Sequence, residues 1–139
     1  MAQLVREVMT PDPVSLGGDA TAREAARRMR DDDTGAILVV DGDNLRGIVT
    51  DRDIAVRAVA EGTDPDECRI GDICTSNVET VSPTQPVEEA IRIMREQAVR
   101  RIPVVESGTT VGILSIGDLA MERDEHSALA EISAAEANN

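Results

Sequence analysis

Gly47-Ile48-Val49-Thr50-Asp51-Arg52-Asp53 is answered, 65 positions later, by Gly112-Ile113-Leu114-Ser115-Ile116-Gly117-Asp118. Each version reads as a β-strand that leaves a glycine and ends at a hydroxyl residue, with an aspartate three positions further on. Thr50-x-x-Asp53 and Ser115-x-x-Asp118 both fit the capping-box template for the start of a helix, with Asp in place of the more usual Glu.

Working outward from this corner, the same 65-residue offset aligns residues 5–60 with 70–125 without a gap. Identities include Thr10/Thr75, Glu24/Glu89, Met29/Met94, Val39/Val104, Gly47/Gly112 and Asp53/Asp118. The chain is a duplication: repeat 1 over 5–62, a linker over 63–69, repeat 2 over 70–125 and a C-terminal tail over 126–139. Each repeat opens with one helical turn, Val5–Met9 or Ile70–Cys74, and a brief extended stretch, Pro13–Leu16 or Val78–Val81. Asp19 and Thr84 are competent N-caps for the next helix. Its core-facing stripe is Ala22, Ala25, Ala26 and Met29 in repeat 1, and Val87, Ala90, Ile91 and Met94 in repeat 2. Two β-branched runs follow, Ala36–Val40 and Arg101–Val105, each turning through Asp, Gly, Ser or Asn into the Gly47 or Gly112 strand as a hairpin. Pro103 demands a strand end or an edge. The helix after Thr50 stops at Gly62, a natural C-terminal glycine. The fold class is α/β (α+β): two pseudo-symmetric repeats, each a small mixed sheet with flanking helices.

Composition narrows the function. There is no Phe, Tyr or Trp, so a planar ligand must be gripped by aliphatic side chains and backbone. A net charge of −13 argues against nucleic acid and anionic membrane, both of which need clustered cations. No apolar run approaches the ~18 residues of a membrane span. The N-terminus lacks a signal-peptide core, and a cytoplasmic protein is the expectation. Cys68, Cys74 and the single His126 do not form a metal-ligand pattern. The two cysteines read as reduced, partly buried thiols, with a disulfide between them as the alternative. Neither a hydrolase triad nor a Walker or dinucleotide fingerprint is present.

The repeated corner admits two readings of the same atoms. In one, the hydroxyl and the carboxylate cap a helix and nothing more. In the other, free N–H groups at the helix start face a phosphate, and the adjacent carboxylate accepts from both hydroxyls of a ribose diol. A nucleoside phosphate meets both demands.

The order of elements, the two G-h-h-T/S-x-x-D endings, Val8-Met9-Thr10-Pro11 and the strand Arg100-Arg101-Ile102-Pro103-Val104-Val105 resemble the cystathionine β-synthase (CBS) domain. The resemblance covers about Val5 to Arg123. Two such domains in tandem make a Bateman module, and the layout is similar to small stand-alone CBS-pair proteins of the hypoxic-response type. The resemblance implies a non-catalytic regulatory or sensor module that binds AMP, ADP, ATP or another adenosyl ligand in clefts between the repeats, with no other cofactor. It assigns the ribose hydroxyls to Asp53 and Asp118, and the phosphate or ribose to Thr50 and Ser115. Arg100 and Arg101 would neutralise phosphate, and Ile48, Ile113, Ile37 and Ile102 would line a slot for the base. Because repeat 1 has Gly35-Ala36 where repeat 2 has Arg100-Arg101, a single good site, or two unequal ones, is expected. A homodimer through apolar helix faces and an effector protein are the expected partners. A ligand-free scaffold for protein interaction, of the stress-response type, is the alternative.

Overall fold

The computed structural model describes residues 3–123; His126 and the tail at 126–139 lie outside them. Among these residues the elements run α1 (Val5–Val8), β1 (Thr10–Pro11), β2 (Ser15–Gly17), α2 (Ala22–Asp31), β3 (Ala36–Asp41), β4 (Asn44–Thr50) and α3 (Asp51–Asp53). A π-helical continuation of α3 follows (Ile54–Val59), then α4 (Ile70–Ile73), α5 (Val87–Gln97), β5 (Arg101–Glu106), β6 (Thr109–Ser115) and α6 (Ile116–Arg123). The mixed α/β character and the two small sheets follow the pattern read from the sequence.

Two compact units emerge, and each draws on both sequence repeats. Among the described residues, one consists of Val14–Val78; the other joins residues 3–13 to 79–123. In the Val14–Val78 unit, β2 pairs in parallel with β3, and β3 pairs antiparallel with β4. The free side of β4 is met by an antiparallel bridge from Ile48 to Thr75. In the other unit, β5 and β6 form the matching antiparallel hairpin, and β1 pairs with β6 through Thr10–Ile113 and Pro11–Gly112. Both hairpins carry a bulge at the same place, after Val39 and after Val104.

The difference between the sheets traces to one residue. Leu38 donates its N–H to the Val14 carbonyl at 2.9 Å, and β2 continues from there for three paired residues. Its counterpart Pro103 has no N–H to donate. There the pairing shrinks to a bridge between Val81 and Val104, with the Val81 N–H on the Pro103 carbonyl and the Val105 N–H on the Val81 carbonyl. The ring of Pro103 points its missing donor to the outer side of β5 and leaves the β5–β6 ladder intact, as an edge position allows.

Strand alternation divides the side chains. Ile37, Val39 and Val49 pack with Ala22, Ala25 and Met29 of α2 and with Ile70 and Ile73 of α4. Ile102, Val104 and Leu114 do the same with Val87, Ala90, Ile93 and Met94 of α5 and with Val5 of α1. The stripes differ slightly from the periodic reading: Ala26 is exposed and Ile91 only half-buried, while Ile93 joins the core. The helix starts also move. The N-cap of α2 is Thr21, whose hydroxyl accepts from the Glu24 N–H, and the N-cap position of α5 is Pro86. Asp19 and Thr84 therefore lie two residues too early. Cys68 and Cys74 are free thiols in the same core, and burial pushes the Cys68 thiol up from its ordinary value. No helix among the described residues is long and apolar enough to cross a membrane.

Candidate functional site

The two corners are built alike. At the end of β4, the Thr50 hydroxyl accepts from the Asp53 N–H at 3.1 Å, and Asp53 Oδ2 accepts from the Thr50 N–H at 2.9 Å. At the end of β6, Ser115 and Asp118 repeat both bonds at 3.1 and 2.9 Å. All four residues are half-buried. The reciprocal capping bonds fix each aspartate rotamer through Oδ2, so Oδ1 takes no part in the cap. A backbone bond locks each turn to the preceding strand: the Asp51 N–H donates to the Gly35 carbonyl at 3.0 Å, and the Ile116 N–H to the Arg100 carbonyl at 2.9 Å.

These bonds correct one expectation. The start of α3 does not offer free N–H groups to a phosphate. Asp51, Arg52 and Asp53 donate respectively to the Gly35 carbonyl, to Asp51 Oδ1 and to the Thr50 hydroxyl. Any anion at this corner must be met by side chains.

The glycine that opens each motif has a steric cause absent from the sequence reading. A Cβ on Gly47 would lie 2.3 Å from the Thr75 carbonyl oxygen, and one on Gly112 would lie 2.6 Å from Met9 Sδ and 2.9 Å from the Thr10 carbonyl oxygen. The strand passes so close to the segment that crosses it that an added side chain would collide. The crossing segment also brings a threonine to the site. The Thr10 hydroxyl donates to Asp118 Oδ1 at 3.3 Å. Thr75 stands at the equivalent place, exchanging backbone bonds with Ile48 at 2.8 and 3.0 Å. The identity of Thr10 and Thr75 across the duplication was the signal for this pair, but it read as the end of a helical turn.

Among the apolar residues assigned to a base-binding slot, Ile48 and Ile113 stand on the same sheet face as Thr50 and Ser115. Ile37 and Ile102 do not. Both belong to the two cores under α2 and α5, whereas Leu38 and Pro103, buried as fully, lie outside those cores. A one-residue step in a strand reverses the face. The residues that share the face of Ile48 and Ile113 are their cross-strand partners Leu38 and Pro103.

The cations are distributed unevenly. Arg101 is the cross-strand partner of Ser115, so it stands on the face of the Asp118 corner. Arg100, one residue earlier, is exposed and contributes its carbonyl to the turn. At the equivalent positions the Asp53 corner has Gly35 and Ala36, with Ala36 opposite Thr50. A different cation stands there. Arg57 places Nε 3.8 Å from Asp53 Oδ1 and donates from Nη1 to the Ile73 carbonyl at 2.9 Å. No group of three or more metal-ligating side chains occurs among the described residues.

Known proteins share this arrangement. The family described as CBS domain matches residues 5–59 and 70–125. The CBS domain-containing protein YhcV of Bacillus subtilis is 34 % identical over 119 residues, spanning 86 % of this chain and 84 % of its own. Hypoxic response protein 1 of Mycobacterium tuberculosis is 34 % identical over 122 residues, spanning 87 % of this chain and 85 % of its own. A crystal structure of Hypoxic Response Protein I with two coordinated zinc ions superposes with a TM-score of 0.76 at 32 % identity, covering 86 % of this chain and 98 % of that one. A hexameric CBS-CP12 protein from bloom-forming cyanobacteria superposes with a TM-score of 0.80 at 31 % identity, over 89 % of this chain and 74 % of that one. With both repeats matched over nearly their whole length, and the capping corner, crossing threonine and glycine present twice, the chain belongs to the CBS-domain family as a tandem pair.

Proposed function

We propose that this CBS pair is a non-catalytic sensor that binds an adenine nucleotide or another adenosyl ligand at its Thr50–Asp53 and Ser115–Asp118 corners. The observation that carries the reading is the pair of aspartates held rigid by reciprocal capping bonds. Each carboxylate gives Oδ2 to its own backbone. Among the described residues Oδ1 meets only the Thr10 hydroxyl at Asp118 and the more distant Arg57 at Asp53, so a fixed carboxylate keeps acceptor capacity for a vicinal diol. Ile113 is half-buried, and Leu38, Ile48 and Pro103 are buried on the same sheet faces outside the two cores; these aliphatic side chains would take the place of aromatic stacking in a chain without aromatic residues. Arg101 beside Ser115 supplies charge for phosphate at the Asp118 corner.

Self-association is part of the reading. The hexameric CBS-CP12 neighbour supports an oligomer, and Val56, Val59 and Ile116 are exposed apolar side chains on the helices that follow the two corners. A homodimer formed through these helices would carry the ligand signal to an effector protein in the cytoplasm.

Calorimetric titration with AMP, ADP, ATP and S-adenosylmethionine tests the proposal. Binding is expected with at least one of them. Asp118→Asn keeps an acceptor for the Ser115 N–H but replaces a ribose acceptor with a donor, so it should weaken that site by about tenfold or more. At ligand near 100 times its dissociation constant the protein should gain about 2.7 kcal/mol of stability. An unchanged melting temperature with every ligand would instead leave the corners as helix caps and favour the ligand-free scaffold.

A further inference from the structure

The Asp53 corner has lost the strand cations of its sister, yet a helix cation stands against its carboxylate. From this placement we infer that Arg57 is the anion-binding, specificity-determining residue of the Asp53 corner, contacting the phosphate of a nucleotide whose ribose is held by Asp53. The inference rests on the nucleotide reading above and assigns a residue that neither the duplicated motif nor the Arg100-Arg101 strand would nominate.

Three observations converge on it. First, geometry: Arg57 lies one turn beyond Asp53, and its guanidinium is anchored by Nη1 on the Ile73 carbonyl at 2.9 Å. Nε is 3.8 Å from Asp53 Oδ1, near enough for charge attraction and too far for a hydrogen bond. The carboxylate is thus accompanied by the cation without being consumed by it. The Arg57 side chain is 48 % exposed against 13 % for Asp53, so its outer face opens to solvent while the anchor holds it.

Second, the helix is shaped to put it there. Over Ile54–Val59 the backbone widens to i→i+5 bonding, seen in the Ala60 N–H on the Ala55 carbonyl at 2.9 Å. A π-helical turn is costly and local, and it re-aims the side chains along it. The helix after the other corner, α6, is α-helical over Ile116–Arg123.

Third, this corner lacks the strand cations of the other. All three first-turn N–H groups of α3 already have acceptors, and the strand positions are Gly35 and Ala36. The residue that duplicates Arg57 in repeat 2 is Glu122. The pair therefore exchanges positions: cation on the strand and acid on the helix in one repeat, neutral strand and cation on the helix in the other. A planar guanidinium fixed at one nitrogen leaves Nε and Nη2 to meet a phosphate as a fork.

The test is titration of the full chain with adenosine and AMP, comparing wild type with Arg57→Gln, Arg57→Lys, Arg52→Gln and Asp53→Asn, each checked by thermal melting. Asp53→Asn identifies which of the measured sites is this corner. Arg57→Gln should weaken AMP there by about tenfold or more, leave adenosine within about twofold, and flatten the salt dependence of AMP binding. Arg57→Lys should restore a large part of the AMP preference, and Arg52→Gln should change little. Equal losses of adenosine and AMP in Arg57→Gln would mean a structural tether and overturn the assignment alone. So would an AMP affinity that is unchanged, or one reduced as much by Arg52→Gln. If the wild type binds neither compound but does bind ADP, ATP or S-adenosylmethionine, this assignment alone is overturned; if it binds none of the five, the nucleotide reading itself fails and takes this assignment with it.

Discussion

At the scale of single residues, the two motif glycines are the sharpest structural requirement in the chain. Gly47 and Gly112 have ordinary backbone angles, and close approach of the crossing segment is what excludes a side chain. A methyl on Gly47 would meet a backbone oxygen at 2.3 Å, which can yield only if the strand moves. On Gly112 the nearest atom is the flexible Met9 thioether, and the backbone oxygen is further away at 2.9 Å. Gly47→Ala should therefore destabilise by about 2–3 kcal/mol and Gly112→Ala by less, within the range for overpacking a tight site. Urea denaturation of the two variants measures the order. The four half-buried corner residues were legible as a motif because capping fixes residue type at fixed spacing. Arg57 was not, since an arginine four residues past an aspartate is also an ordinary surface pair on any helix.

At the scale of elements, the duplication constrains how each helix ends as well as where it lies. The chain leaves α2 through Asp33 at φ 52° and α5 through Ala98 at φ 54°, equivalent positions in the left-handed region. Aspartate visits that region more readily than alanine, so the strain falls on α5. Ala98→Gly should stabilise the protein by about 1 kcal/mol, after allowing for the extra freedom of glycine in the unfolded chain. Asp33→Gly should gain less. Differential scanning calorimetry of both variants reads the difference. Helix starts were read less well than helix faces. Thr21 and Asp19 are both good caps, and the choice between them is made by the linker: the Ala22 N–H donates to the Cys68 carbonyl and Thr21 bridges to Arg69. That partner lies more than forty residues away and leaves no local mark.

At the scale of the whole chain, the sequence repeats and the compact units do not coincide. Every residue of the core around Ile37 lies within 14–78, including Cys68 from the linker and Ile70, Ile73 and Cys74 from the start of repeat 2. The core around Ile102 in turn takes Val5 from the start of repeat 1. A fragment of residues 14–78 keeps its entire core, although at this length its stability will be modest. A fragment of residues 5–62 loses α4 and the two cysteines from that core. Circular dichroism with thermal melting should show cooperative unfolding for the first and no cooperative transition for the second. Comparable melting of both would show that the crossing segments are dispensable.

The amino-acid sequence by itself determined the duplication, the hairpins, the helix faces and the Thr/Ser–Asp corners, because each is written in local periodicity or in spacing that repeats 65 residues on. Tertiary structure decided which segments complete which sheet, which strand residues face the corners, and where the second cation stands. Ile37 and Leu38 are equally apolar, and pairing register alone sends one to the core under α2 and the other to the face of the Thr50 corner. Arg57 gains its place from a carbonyl sixteen residues away, on a segment that crosses from the other repeat.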